Sequence, residues 1–496
     1  MKFCWFWGNK LLFVDQSYLE KFDYIVVGAG ISGLTTALIL AKEGKKVAIF
    51  ERNSDIAPLL RPYKRKGVSI SPGLHVCGWM GKGEIVEKFL NYLNVSDGVE
   101  KVLSENGYGT VIVNNKIYNI PRGYEAIKEA LCFYFPDYRQ TIINYLDLIK
   151  ECVDQIFYFN HSLPPLKNLH TSFIDASNSS FRVYLQKHNA PEELIELLDA
   201  MSYLLVGSRG NELPFLMHSF VIGGFFQSPG FFPFNGITRM LDNFKRELSK
   251  YGVKIFLNKE IKKVLVDEKK QAIGVETVDG KKYSSSNVIV TFNPKLLVSM
   301  LDKGVLRPIF IKRLEDAQNT FGFYVAYYKV KRELKITSKS IVFYDGHRDL
   351  LIGLILNENS NCYVLSAFMP ENETNFSYEK FSEEQKKELA MKKLQLIEDT
   401  IYNILPEIKN DLELISFLKP WSFEKYTKTV NGSAYGTKQS VDYIGFQHKI
   451  PVKNLYLVGQ SIYPGFLGAM ISAFSLCLEI LESNSFWAKV VENETK

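Results

Sequence analysis

Three glycines at 28, 30 and 33, set in Tyr24-Ile-Val-Val-Gly-Ala-Gly-Ile-Ser-Gly-Leu34, are spaced to cradle a pyrophosphate. Gly28 permits the tight turn, Gly30 lets the backbone approach the phosphates, and Gly33 lets a helix pack on the preceding strand. Glu51 lies 18 residues beyond Gly33, close to the ~20 of a ribose-binding carboxylate. Its charge would repel a 2′-phosphate, which argues against NADP. At the far end of the chain, Asn454-Leu-Tyr-Leu-Val-Gly-Gln-Ser461 is followed by Pro464-Gly-Phe-Leu-Gly-Ala469. A dinucleotide site drawn from both ends of a chain points to a flavin enzyme more than to a nicotinamide dehydrogenase. A helix starting near Leu467 would aim its amides at the flavin and stabilise negative charge on the reduced ring.

Two histidines stand where acid–base chemistry would need them. His75 follows Gly73-Leu74, and His218 lies in a stretch from Glu212 to Arg239 whose interior holds no Asp, Glu, Lys or Arg. Imidazole titrates near working pH, so both are candidate proton donors or acceptors. The plain alternative for each is a structural histidine with satisfied nitrogens. The charge-free stretch is crowded with phenylalanine, from Phe215 to Phe234, and reads as ordinary core, as the wall of a long apolar tunnel, or as a patch dipping into lipid. Gly223-Gly224, Pro229-Gly230 and Pro233 interrupt it, which excludes a membrane helix.

The elements that must position these groups follow from periodicity. Strands over 23–27 and 46–50 flank a helix over 31–43, the βαβ start of a parallel sheet. An amphipathic helix over 237–251 precedes a strand over 253–257, a hairpin of 261–266 with 272–277, and a parallel strand over 283–291. No second glycine loop follows a strand, which argues against a separate NADPH domain. With no repeat or low-complexity linker, the fold class expected is α/β, a Rossmann-type FAD-binding domain interleaved with a mixed α+β substrate domain. The expected divisions are 20–73, 231–299 and 421–485 for the first, and 74–230 and 300–420 for the second.

Bulk properties exclude several classes. The chain has 496 residues, 46% apolar and 23% charged, with net charge +6. No basic block suggests nucleic acid; attraction to anionic headgroups is a more modest use of the charge. Six scattered cysteines without a CxxC pair indicate neither a zinc site nor a disulfide relay, and suit a reducing cytoplasm. The aromatic N-terminus, 1–10, lacks a secretory h-region; it either rests on a membrane surface or pads the first strand.

The order of these pieces resembles the phytoene desaturase, carotenoid isomerase and retinol saturase group of flavoproteins, over about residues 22–482. The resemblance rests on Gly28–Gly33 with Glu51-Arg52, on Gly73-Leu-His-Val-Cys-Gly78, on 217–236, on Asn431-Gly-Ser-Ala-Tyr-Gly436 and on 454–473. It implies a bound FAD and an apolar polyene or isoprenoid substrate drawn from a membrane, hence a cytoplasmic, peripherally membrane-associated enzyme of desaturase, saturase or isomerase type. It further implies FAD contacts from Gly28, Ala29, Gly30, Ile31, Ser32 and Gly33, from Glu51, Arg52 and Arg61, and from Gly73, Leu74 and the Ile261 backbone. Gly459, Gln460, Pro464, Gly465, Gly468 and Ala469 complete the set. The chain departs from the family at Leu59-Leu60-Arg61, where Gly-Gly-Arg is usual, at Ile70-Ser71-Pro72-Gly73, and at Gln460 in place of Asp. Two other readings stay open: an amine or porphyrinogen oxidase, and a prenyl-lipid-binding carrier without catalysis.

Overall fold

The computed structural model describes residues 18–155, 175–331, 338–359, 362–371, 378–443, 445–481 and 484–492. The aromatic stretch 1–10 lies outside the described residues.

Short, β-branched runs buried on both faces, such as residues 25–27 and Val47–Phe50, make the inner parallel strands, and five parallel strands form the first sheet. Their spatial order is Leu455–Leu457, Lys282–Val290, Tyr18–Val27, Val47–Phe50 and Lys254–Phe256. Val27 pairs with Val290 on one side and Phe50 on the other, so three strand ends meet at one edge. The antiparallel pair Ile261–Val266 and Ala272–Thr277 extends the sheet from Lys282–Val290. Strands from three distant stretches of chain thus share one ladder.

The crossover helix Ile31–Lys42 is buried at nearly every position. Gly44, at φ 76°, ends it: the amides of Gly44 and Lys45 return to the carbonyls of Ala41 and Leu40. The helix Gly465–Leu481 packs directly on it, bringing the two ends of the chain together.

A second sheet has the order Leu412–Leu418, Phe323–Val330, Cys362–Pro370, Leu350–Asn359, Ser340–Asp345, Gly109–Val113, Lys116–Ile120. Its pairs are antiparallel except Ser340–Asp345 with Gly109–Val113. Two-residue alternation sorts its faces. Tyr324, Ala326 and Tyr328 pack under Ile397 and Ile401 of the helix Glu383–Ile404, which Ser382 and Gln385 start with a capping box. Phe323 and Val325 turn the other way, towards a large cavity.

The glycine pair expected to interrupt 215–234 does not. The helix Phe215–Gln227 runs through Gly223-Gly224. A β-carbon on Gly224 would lie 2.4 Å from the Trp79 indole nitrogen, and one on Gly223 would lie 3.0 Å from Val153. These glycines are hollows into which neighbours pack. The helix expected over 237–251 starts earlier, as Phe234–Lys250, because Pro233 sets the turn before it.

Candidate active site

The glycine loop leaves the sheet at its central strand. Gly28 has φ 109°, and a β-carbon there would lie 2.2 Å from Thr291 Oγ1. A β-carbon on Gly33 would lie 2.1 Å from the Gly28 carbonyl oxygen, so helix and strand touch backbone to backbone. Gly30 differs: a β-carbon there meets nothing within 4 Å, and the residue lines the cavity. Glu51, only 5% exposed, is fixed at the end of the second strand. Its carboxylate accepts from the Ala29 amide at 2.8 Å and from the Asn53 amide and side chain at 2.8 and 2.7 Å. Arg52 also lines the cavity, and its Nη1 is buried without a hydrogen-bond partner among the described residues.

From the other end of the chain, Gly459 (φ 120°) donates its amide to Ser472 Oγ at 2.9 Å. Gln460, Pro464, Gly465, Gly468 and Ala469 border the same cavity. The helix that starts at Gly465 carries no acidic residue in its first turn, so the positive end of its dipole is unopposed. Gly73, Leu74 and Ile261 complete this wall, with Ile31 and Ser32 from the loop. Space left at Gly30, an unpartnered guanidinium nitrogen, a fixed carboxylate and a bare helix start together fit FAD.

Four of the expected contacts do not face the cavity. Ala29, Gly33 and Gly459 shape the turns behind it. Arg61 is turned away for a physical reason. Leu60 and Arg61 both donate their amides to the Ala57 carbonyl at 2.9 Å. The Arg61 guanidinium then forms an ion pair with Asp55, which Lys245 also contacts at 2.9 Å. Arg61 is therefore corrected as a phosphate partner; Leu59 and Leu60 line the cavity in its stead.

The cavity, about 830 Å³, continues from this wall into a chamber of hydrocarbon. Phe220, Val221 and Phe225 come from the charge-free helix, and Phe323, Val325 and Phe368 from the second sheet. Tyr435, inside the Asn431–Gly436 motif, adds a ring near Phe321 and Phe323. The sheet residues were not among the expected site residues, since their segments carry no local signature. Tyr435 was signalled by its motif without a role.

The two histidines part company. His75 borders the chamber, edge-on to Phe368 at 4.4 Å between ring centres. Tyr327 steadies its segment by donating its hydroxyl to the Ser71 carbonyl at 2.8 Å. Burial pushes the His75 imidazole down to about 3, so the ring is neutral at ordinary pH. Its Nε2 has no hydrogen-bond partner among the described residues. His218 does not line the cavity, which corrects the expectation of a proton-transfer role. It is fully buried, stacked on Phe181, with Nε2 2.7 Å from the Tyr145 hydroxyl and Nδ1 2.9 Å from Ser202 Oγ.

Comparison with known proteins agrees with this geometry. The model of the flavin-containing amine oxidoreductase family matches residues 31–475. All-trans-retinol 13,14-reductase of Danio rerio is 23% identical, covering 96% of this chain and 89% of that protein. The 4,4'-diapophytoene desaturase (4,4'-diaponeurosporene-forming) of Staphylococcus aureus is 22% identical, covering 89% of this chain and 94% of its own. Among solved structures, an oxidoreductase from Methanosarcina mazei superposes with TM-score 0.67 at 16% identity, over 93% of this chain and 100% of that one, and shares the fold. The chain belongs to the flavin-containing amine oxidoreductase family and, within it, to the phytoene desaturase and retinol saturase group: it is an FAD-dependent oxidoreductase.

Proposed function

We propose that the enzyme changes the double bonds of an apolar polyene or isoprenoid by desaturation, saturation or cis–trans isomerisation. The observation that carries this reading is the continuity of the cavity from Gly30, Glu51 and Gly465 into the chamber walled by Phe225, Phe323 and Phe368. A mostly apolar pocket with few placed polar groups takes a ligand of the same character. The names of the retinol reductase and the diapophytoene desaturase, both acting on polyenes, support it.

In this reading Gly28, Gly30, Ile31 and Ser32 hold the FAD pyrophosphate, Glu51 the adenosine ribose and Arg52 the adjoining charge. Gln460 and the turn from Pro464 to Ala469 hold the ring end, with Gly73, Leu74 and Ile261 alongside. Bound there, FAD supplies the two-electron chemistry. The residues of the chain orient both partners and keep water out. The residue divisions 20–73, 231–299 and 421–485 form the FAD-binding part, and 74–230 with 300–420 the substrate part. The substrate comes from a lipid surface with which the protein makes peripheral contact. No described helix is long and apolar enough to cross a membrane.

The test is anaerobic incubation of the FAD-loaded protein, oxidised and reduced, with retinoids, carotenes and phytoene, an amine and a porphyrinogen serving as comparators. Products are weighed by mass spectrometry. Gain of two hydrogens means saturation, loss means desaturation, and unchanged mass with altered retention means isomerisation. Turnover of the amine or porphyrinogen with no polyene reacting would sink the proposal.

A further inference from the structure

We propose that His75 is a specificity-determining residue of the chamber: its imidazole hydrogen-bonds an oxygen carried by the substrate, so end-oxygenated polyenes are favoured over hydrocarbons. This rests on the polyene reading above and narrows it.

Three other polar side chains that line the cavity, Tyr435, Tyr108 and Cys77, are each occupied. Tyr435 donates to the Leu204 carbonyl at 2.6 Å, Tyr108 to the Met201 carbonyl at 2.9 Å, and the Cys77 thiol to the Gly78 carbonyl at 3.2 Å. His75 is different. Its ring is wedged against Phe368, it borders the cavity, and Nε2 is buried without a partner. Most buried polar atoms in folded proteins are paired, and an unpaired one on a residue that borders a cavity is explained by a ligand atom that completes it. A half-turn of the ring about Cβ–Cγ exchanges Nε2 with Cε1.

The chemistry of the partner follows from the state of the ring. A neutral imidazole has one N–H and one lone pair, so it can donate to a carbonyl or accept from a hydroxyl. A pure hydrocarbon would seal the chamber over a polar atom and leave it unpaired, whereas an alcohol or aldehyde closes the bond. His75 also follows directly on Gly73 and Leu74, which the proposed function assigns to FAD. Two residues of extended chain span at most about 7 Å, so the oxygen sits at the cofactor end of the chamber.

The experiment uses the FAD-loaded protein and two polyenes matched in length and unsaturation, one a terminal alcohol and one the parent hydrocarbon. Binding is read from quenching of tryptophan fluorescence, since Trp79 lines the cavity. The wild type is expected to bind the alcohol roughly ten-fold or more tightly than the hydrocarbon, the scale of one buried hydrogen bond left unmade. His75→Phe should bring the ratio to within about two-fold by weakening the alcohol alone, while His75→Gln, which keeps a donor and an acceptor, should retain part of it. Equal binding of the pair by wild type, or a preference that survives in His75→Phe, would overturn the assignment yet leave the polyene reading standing. If neither polyene binds the wild type, the polyene reading itself falls, and His75 with it.

Discussion

His218 and His75 are both held neutral by their surroundings, yet they sit in regions finished in opposite ways. Around His218 the helices Arg139–Asp154, Glu192–Val206 and Phe215–Gln227 close completely, and both ring nitrogens have hydroxyl partners. Around His75 the wall is open to the cavity and Nε2 has none. The glycine loop repeats the contrast within six residues. Gly33 is jammed against the Gly28 carbonyl, and Gly30 faces empty space. Packing that is complete holds the fold; packing left incomplete marks where a ligand finishes it.

The largest expected effect comes from filling a closed position. Gly33→Val would drive a β-carbon to 2.1 Å from the carbonyl oxygen of Gly28, a residue tied by its amide to the Phe50 carbonyl. Neither partner is a flexible side-chain end, so the loss should exceed about 4 kcal/mol. Soluble yield, melting temperature and flavin absorbance of the purified protein should collapse together. A well-folded Gly33→Val protein with full flavin content would show that this contact is not closed.

Next in size is His218→Phe. Phenylalanine fills the space but strands the hydroxyls of Tyr145 and Ser202, at about 3 kcal/mol for the pair at neutral pH. The gap should narrow in acid, and the sign is fixed by linkage. His218 is lowered from 6.5 to about 3 in the folded chain. Between those values the unfolded chain binds a proton that the folded chain refuses, so wild-type stability is full above 6.5 and falls with pH. The variant lacks this loss, so by pH 5 its deficit should shrink by about 2 kcal/mol. Urea unfolding at pH 7 and pH 5 measures both, and a deficit that does not change with pH would break the assignment.

How much of this was legible in the residues depends on how local the cause is. The glycine loop and Glu51 lie within 24 residues of one another, and their spacing alone implies strand, turn, helix and acid. The closing turn at Pro464–Ala469 was equally local. Arg61 misled because the partner that removes it, Asp55, is a surface acid with no pattern of its own. His218 misled because residue type announces titratability and says nothing of Tyr145, 73 positions away. Phe323 and Phe368 meet only because the second sheet pairs Phe323 with Pro370 and Val325 with Phe368, a register no local motif encodes. Gly223 and Gly224 looked like breaks, since glycine lowers helix propensity; Trp79 and Val153 packing into them outweighs that cost.

The smallest effect on stability should come from Gly30→Ala, and it is the most discriminating. Gly30 has φ −69° and ψ 174°, extended backbone that alanine adopts freely, and its β-carbon would touch nothing. Replacing glycine at such a site restricts the unfolded chain, so the FAD-free protein should hold its stability or gain up to about 1 kcal/mol. The same methyl group occupies the space through which the backbone approaches a pyrophosphate. FAD affinity should therefore fall by roughly ten-fold or more, the equivalent of about 1.4 kcal/mol. Titrating FAD into the stripped protein, with fluorescence quenching as the signal, reads the second effect, and thermal unfolding without FAD reads the first. The two must move in opposite directions, because the open space at Gly30 matters only when something fills it. Unchanged affinity would mean that the phosphates lie elsewhere, and Gly30 and Gly33 would then differ in packing alone.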